Sequence, residues 1–322
     1  MRPRKNPKQH APRWPWTFLA VSAALITAAG IRHPHALGPK RPSQAVAHAT
    51  KLSSPASVTI PAHPIPSALP FRIGENSGVL WNLTTGQLLW AYRPHLPGPY
   101  ASTTKLMTIY LALKHLPLTG VVPISLKAAA TTGSDIRMAT TYHFTVRQLL
   151  YGLMLDSANN AAVALAQYEA GSVPAFVAQM NHTAQMMGMT NTTYADPDGL
   201  SPGSRGSAWD LSIIARADME NPLFRKIVRT KEASLPHNPI VRNLNGLLFI
   251  DPSVIGVKTG WTTEAGFNLV FAATRRVNGH SVTLLGVIMH GQQGFPSEYQ
   301  DAEKILHWGF LKSRGGHTSQ SK

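Results

Sequence analysis

Ser102 and Lys105 form a Ser-x-x-Lys pair whose spacing suits nucleophilic catalysis. The apolar residues Leu106, Ile109, Tyr110 and Leu113 follow at helical period, so the sequence predicts a helix that begins close to Ser102. Residues three apart on a helix share one face, so Lys105 is expected to lie beside Ser102. A lysine at the edge of an apolar face is partly desolvated, which favours its neutral form. The pair therefore suits a serine nucleophile with a lysine general base, but a chain of this length also contains such pairs by chance, so the interpretation needs partner residues elsewhere.

Ser157 and Asn159 form a Ser-x-Asn stretch where one predicted helix ends and the next begins. From such a connection, a hydroxyl and an amide can point into a cleft. The alternative is that Ser157 or Asn159 simply caps the N-terminus of the second helix. The residues alone leave both interpretations open.

Lys258, Thr259 and Gly260 lie on a predicted strand and are followed by Trp261. The lysine and threonine offer a cation and a hydroxyl to a substrate carboxylate, and the glycine lets another chain approach the backbone closely. The alternative is a strand that ends at a turn.

These stretches lie in a chain with predicted strands towards both ends and predicted helices between them. Two short apolar runs around Thr84-Thr85-Gly86 predict a β-hairpin. Further strands are predicted over 254–258, 267–274 and 281–289, and a closing helix follows them. The predicted fold class is α/β (α+β): an antiparallel sheet flanked by helices, with an inserted helical lobe.

The N-terminus has the layout of an export signal. Basic residues precede a charge-free apolar run at 16–31, so residues 1–31 are predicted to be a signal peptide or an N-terminal anchor. The run is short for a bilayer span, and cleavage and anchoring both remain open. Residues 32–70 contain eight prolines and predict a linker. We expect an exported protein of the extracytoplasmic cell envelope, either secreted or tethered by this segment.

Charge and cysteine content exclude several classes of function. The net charge is +15, but residues 1–70 hold nine Lys and Arg and no Asp or Glu, which leaves +6 (15 − 9) for the rest. The excess therefore belongs mainly to the leader, and nucleic-acid binding is disfavoured. The absence of cysteine removes disulfides, thiolate catalysis and cysteine metal sites. The folded domain is predicted over 71–312, with a disordered tail at 313–322.

The order and spacing of the three stretches resemble those of penicillin-recognising serine acyl enzymes. Residues 77–311 are similar to low-molecular-mass penicillin-binding proteins, the D-alanyl-D-alanine carboxypeptidases of serine peptidase family S11. The resemblance rests on ASTTKLMT, GSDIRM, LLYGLMLDSANNAAVALA, FVAQMN, GMTNTTYADPDGL and GVKTGWTTEAGFNLVFAA. It implies a β-lactamase/transpeptidase-like fold. Tyr100 replaces a proline common in the family, Asn160 replaces a common Asp, and any membrane attachment is expected at the N-terminus.

The resemblance implies three catalytic residues. Ser102 attacks the carbonyl between the two terminal D-alanines of a peptidoglycan stem peptide, Lys105 accepts its proton, and Ser157 relays a proton to the leaving nitrogen. A charged Lys258 is expected to help lower the pKa of Lys105. No metal or cofactor is implied, and β-lactams are expected to acylate Ser102.

Five further residues are expected to bind the substrate. Asn159 holds the substrate amide, Lys258 and Thr259 bind the terminal carboxylate, and Gly260 allows close approach of the backbone. The N–H of Trp261 completes an oxyanion hole with the N–H of the nucleophilic serine.

Two alternative functions make different demands on the sequence. A class A β-lactamase needs a glutamate about 30–40 residues after the Ser-x-Asn stretch, as the family pattern implies, yet residues 185–200 contain none. If the protein were a catalytically idle β-lactam-sensing or wall-binding module, we would expect at least one of the three stretches to have lost its motif residues. All three stretches are intact.

Overall fold

The structure, a computed structural model, describes residues 68–315. The predicted leader at 1–31, nearly all of the linker at 32–70 and most of the tail at 313–322 lie outside the described residues and stay predictions. Eleven strands and nine α-helices are assigned within the described range. The strands are β1 Ser77–Asn82, β2 Gln87–Tyr92, β3 Gly98–Pro99, β4 Val121–Val122, β5 Phe144–Thr145, β6 Arg205–Gly206, β7 Glu232–Leu235, β8 Asn238–Arg242, β9 Val254–Thr262, β10 Gly266–Val277 and β11 His280–Gly291. The helices are α1 Lys105–His115, α2 Leu126–Ala129, α3 Val146–Leu155, α4 Asn159–Ala170, α5 Val173–Met186, α6 Ala208–Glu220, α7 Pro222–Arg229, α8 Leu247–Ile250 and α9 Phe295–Gly315.

The main sheet has five strands in the order β2-β1-β11-β10-β9, and all of its neighbours are antiparallel. The predicted N-terminal hairpin is confirmed as β1 and β2, and the C-terminal strands join it through the pairing of β1 with β11. Helices α1 to α7 lie between β2 and β9 in the sequence and form the inserted lobe. The predicted fold class is confirmed.

Alternation along the strands divides the apolar side chains between the two faces of the sheet. On β10, Val270 and Ala272 pack with the helical lobe, whereas Leu269, Phe271 and Ala273 pack with α9. The sheet is therefore buried on both faces, and each face has its own core.

Local sequence signals set the starts of the lobe helices. Thr145 and Gln148 form a reciprocal capping box at the start of α3, while Ser172 and Ser207 cap α5 and α6. The short hairpin of β7 and β8 was not predicted, because its exposed and charged residues carry little apolar alternation.

Two features of the described range concern membrane spans and metal sites. Within residues 68–315, no helix is both long enough and apolar enough to cross a bilayer. The same range contains no group of three or more His, Asp or Glu side chains arranged to hold a metal ion.

The packing of α9 on the sheet can be tested with two leucines of that helix. Leu306 is fully buried, whereas Leu311 is 46% exposed. We expect Leu306→Ala to lower the free energy of unfolding by about 2–5 kcal/mol, because it removes buried methyl groups and leaves a cavity. Leu311→Ala is expected to change it by about 0.5 kcal/mol or less. Equal losses in urea unfolding would contradict the described packing.

Candidate active site

Ser102 lies in a short turn that precedes α1. This turn, residues 99–104 and called the nucleophile turn below, contains the 3₁₀ segment Ala101–Thr104. Ala101 has a positive φ of 49°, and Thr103 Oγ1 donates a 2.7 Å hydrogen bond to the Tyr100 carbonyl. The Tyr100 ring is fully buried, and its hydroxyl contacts Thr192 Oγ1 at 2.7 Å. The turn is thus fixed from inside the protein, while Ser102 stays partly accessible.

Strand β9 lies directly against the nucleophile turn at Gly260. A Cβ atom at this position would lie 2.9 Å from the Thr103 nitrogen, 3.0 Å from the Tyr100 oxygen and 3.1 Å from the Ser102 nitrogen. These are backbone atoms that cannot move independently of the turn. The strand reaches the serine because residue 260 is a glycine, as the sequence predicts.

The amine of Lys105 is fully buried and has three oxygen neighbours. Its Nζ lies 2.9 Å from Ser102 Oγ, 2.8 Å from Asn159 Oδ1 and 2.6 Å from the backbone oxygen of Asp198. The last two oxygens are acceptors without a proton, whereas the serine hydroxyl carries one. A neutral amine therefore donates its two N–H groups to Asn159 and Asp198 and directs its lone pair at the serine hydroxyl.

Burial lowers the pKa of Lys105 to about 8, although the negative charges of Asp198 and Asp196 oppose the shift. A large share of Lys105 is therefore neutral near pH 8. Desolvation is the main cause, as predicted from the apolar stripe, whereas the expected contribution of Lys258 is not among the causes.

Ser157 and Lys258 form a second hydroxyl–amine pair. Lys258 Nζ donates a 3.0 Å hydrogen bond to Ser157 Oγ and a 2.9 Å bond to the backbone oxygen of Thr259. Burial, followed by repulsion from Lys105, lowers the pKa of Lys258 well below its ordinary value. Ser157 has a positive φ of 59°, a region that non-glycine residues seldom occupy, so its surroundings hold the backbone in place.

The alternative interpretation of Ser157 and Asn159 as helix caps is wrong. The N-cap of α4 is Ala158, and no side chain accepts a capping hydrogen bond there. The Asn159 side chain instead accepts from Lys105 and donates a 3.0 Å bond to the Thr132 carbonyl.

The remaining predicted residues follow Lys258 along β9. Thr259 is 5% exposed, whereas Trp261 is 53% exposed and packs against the Phe267 ring at a centroid distance of 5.8 Å. β9 also forms one edge of the main sheet. An extended peptide can therefore pair with its open side.

Two contributors to the site were not predicted from the sequence. Asp198 acts through its backbone carbonyl, which no residue-type pattern reveals. Asn268 on β10 donates hydrogen bonds to the carbonyls of Pro99 and Tyr100 in the nucleophile turn. It lies outside the three recognisable stretches.

The glutamates that lie nearest to residues 185–200 in the sequence, Glu169 and Glu220, make no hydrogen bond to the serine–lysine pair. Glu169 Oε1 instead contacts His115 Nδ1 at 2.6 Å, and Glu220 is the last residue of α6. Within the described range, no glutamate side chain hydrogen-bonds to Ser102, Lys105 or Asn159.

Comparison with known proteins places the fold and the motifs in one family. The Peptidase_S11 family model, described as D-alanyl-D-alanine carboxypeptidase, matches residues 65–292. The chain is 36% identical over 261 residues to D-alanyl-D-alanine carboxypeptidase DacD of Escherichia coli strain K12, covering 76% of this chain and 65% of that protein. It is 35% identical over 277 residues to a D-alanyl-D-alanine carboxypeptidase of Streptomyces sp. strain K15, covering 79% of this chain and 94% of the relative.

Solved structures agree with these sequence matches. A D-alanyl-D-alanine carboxypeptidase of Mycobacterium tuberculosis H37Rv superposes with a TM-score of 0.70 at 30% identity, covering 76% of this chain and 94% of its own. The Streptomyces K15 DD-transpeptidase gives a TM-score of 0.68 at 34% identity, covering 77% of this chain and 100% of its own. The chain therefore belongs to the peptidase S11 family, whose members are D-alanyl-D-alanine carboxypeptidases, serine hydrolases of the penicillin-binding type.

Proposed function

We propose that the protein removes the terminal D-alanine from peptidoglycan stem pentapeptides through an acyl-enzyme on Ser102. The observation that carries the proposal is the buried Lys105 amine, 2.9 Å from Ser102 Oγ and otherwise surrounded by two oxygens that only accept hydrogen bonds. This environment makes the lysine a base for one hydroxyl, that of Ser102.

In the acylation step, Ser102 Oγ attacks the carbonyl carbon between the two D-alanines and transfers its proton to Lys105 Nζ. The carbonyl oxygen becomes negatively charged and accepts hydrogen bonds from the N–H groups of Ser102 and Trp261. The close contact of Gly260 with the nucleophile turn supports this assignment, because it holds the strand that carries Trp261 against the backbone of Ser102. One such donor is typically worth about 100- to 1000-fold in rate.

In collapse of the tetrahedral intermediate, the C–N bond breaks and the leaving D-alanine nitrogen takes a proton from Ser157 Oγ. The proton that Lys105 took from Ser102 passes to Ser157 Oγ in turn, so Lys105 is neutral again, while Lys258 Nζ keeps its 3.0 Å hydrogen bond to that oxygen. Water then attacks the Ser102 ester, and Lys105 assists as the general base. The products are the shortened peptide, free D-alanine and the regenerated serine.

The substrate is held by the free edge of β9. Lys258 and Thr259 bind the terminal carboxylate, Asn159 holds the amide of the stem peptide, and the extended peptide backbone pairs along the strand. β-Lactams present a carboxylate and a strained amide to the same groups and acylate Ser102.

The location of the protein follows from its family and its N-terminus. The family consists of D-alanyl-D-alanine carboxypeptidases, whose peptidoglycan substrate lies outside the cytoplasm, and the basic and then apolar N-terminus supports the same location. We infer that residues 1–31 direct export and that the segment is either removed or kept as a tether.

The first prediction concerns Ser102. We expect purified protein mixed with benzylpenicillin to gain the mass of one penicillin on Ser102 and, in a parallel assay, to release D-alanine from a pentapeptide. Ser102→Ala is expected to lose both activities, because it removes the nucleophile. Intact-protein mass spectrometry and a D-alanine assay make the two measurements.

Ser172→Ala provides the matched control, since it makes the same substitution at the cap of α5. It is expected to retain both activities. Rapid turnover of penicillin without a lasting adduct would support a β-lactamase instead, and an adduct without D-alanine release would support a sensor. No adduct at all would refute the assignment of Ser102.

The second prediction concerns pH. Lys105 must be neutral to act as the base, and its pKa is lowered to about 8, so the acylation rate constant is expected to rise with pH and level off above about 8. Below this midpoint, we expect about a tenfold fall per pH unit. Stopped-flow acylation by a chromogenic cephalosporin measures the profile, with circular dichroism confirming the fold at each pH.

Lys105→Arg provides the comparison, because a guanidinium stays protonated throughout this range. We expect it to be inactive at every pH. A wild-type rate that is flat between pH 6 and 9, or that falls as the pH rises through 8, would show that a neutral Lys105 is not the base.

A further inference from the structure

Asn268 on β10 is a fully buried amide whose polar atoms all bind backbone groups near the nucleophile turn. Its Nδ2 donates to the carbonyls of Pro99 at 3.0 Å and Tyr100 at 3.1 Å. Its Oδ1 accepts a 2.9 Å bond from the N–H of His290. One side chain therefore connects the segment just before Ser102 to the main sheet.

The strand register explains how the side chain of Asn268 contacts both β11 and the nucleophile turn. The pairing of β10 with β11 shifts between Phe267 and Leu269, so Asn268 has no residue directly opposite it on β11. Its side-chain oxygen instead accepts the N–H of His290, a residue of β11 with a positive φ of 66°. With Oδ1 bonded to His290, the side chain presents Nδ2 to the nucleophile turn.

On its other side, Asn268 pairs with Gly260 of β9. Gly260 is the residue in close contact with the backbone of Tyr100, Ser102 and Thr103. The turn is thus fixed at two adjacent places, by van der Waals contact with β9 and by hydrogen bonds from β10. Trp261 follows Gly260 directly, so the same two contacts set the distance between its N–H group and that of Ser102.

We propose that Asn268 is a positioning residue that fixes the two backbone N–H donors of the oxyanion hole relative to each other. This inference rests on the proposed function, since it assumes that Ser102 forms a tetrahedral intermediate. Asparagine suits the position because its amide supplies two donors and one acceptor within a short side chain. An aspartate of the same shape lacks both donors and places a carboxylate oxygen against two carbonyl oxygens.

The test is Asn268→Asp. We expect kcat for D-alanine release and the acylation rate constant for benzylpenicillin to fall about 10- to 100-fold, because small misplacements of reacting groups have effects of this size. KM is expected to change less than twofold. Affinity for an acylaminomethyl boronic acid, which forms a tetrahedral adduct on Ser102, is expected to fall by a factor similar to that of kcat.

Asn243→Asp is the matched control. Asn243 is also buried, donates to the carbonyls of Val228 and Thr230, and accepts from the N–H of Asn245, so the substitution disrupts the same pattern of bonds elsewhere. We expect the thermal unfolding midpoint of Asn243→Asp to fall about as much as that of Asn268→Asp. The kcat of Asn243→Asp, counted per site that penicillin titrates, is expected to stay at the wild-type value. Asn268→Ala, which removes the donors without adding a charge, is the second variant in case the aspartate prevents folding.

The outcomes separate this inference from the proposed function. If wild-type protein forms no penicillin adduct, the proposed function fails. If the wild type reacts but folded Asn268→Asp and Asn268→Ala acylate at the wild-type rate, the positioning role is refuted. Equal losses of kcat in the Asn268 and Asn243 variants, or a fall in kcat without a fall in boronate affinity, would also refute it.

Discussion

The site depends on keeping one amine out of water. Lys105 is fully buried, and its pKa is lowered to about 8 although two aspartates act against the shift. Removal of a charged amine from water is expensive, so the cavity must be closed on every side while Ser102 stays accessible. In this chain Lys105 lies at the start of α1, beneath the nucleophile turn. The packed lobe therefore buries the amine while the serine above it stays accessible.

The two halves of the fold contribute different groups to the cleft. The lobe supplies Ser102, Lys105, Ser157 and Asn159, whereas the sheet supplies Lys258, Thr259 and the Trp261 backbone. The contacts of Gly260 and Asn268 with the nucleophile turn fix the lobe to the sheet at the point where chemistry is proposed. One face of the sheet shares an apolar core with the lobe, so these contacts act at the edge of an extensive apolar interface.

Much of this organisation can be predicted from residue order, because helical and strand periodicity and three short motifs are local features of a sequence. The helix that follows Ser102, the N-terminal hairpin and the long C-terminal strands are all predicted. The carbonyl of Asp198 is not, since every residue has a carbonyl and only the tertiary path of the loop brings this one to Lys105. Asn268 is missed for a related reason, because its role follows from a register shift that no residue type signals. The residues alone leave the capping and catalytic interpretations of Ser157 both open, and the N-cap geometry at Ala158 excludes the capping interpretation.

The pairing of β1 with β11 also constrains how the protein folds. The first strand of the main sheet finds a central partner only among the last strands, more than 200 residues away, as the contact between Asn76 and His290 at a sequence separation of 214 illustrates. Such long-range closure is entropically costly and slow, so the N-terminal hairpin cannot be incorporated into the sheet until nearly the whole chain is available. The N-terminus of a chain emerges first, whether from a ribosome or through a membrane pore. The main sheet therefore stays incomplete for most of that process. The cleft beside Ser102 can form only when the hairpin of β10 and β11 is available.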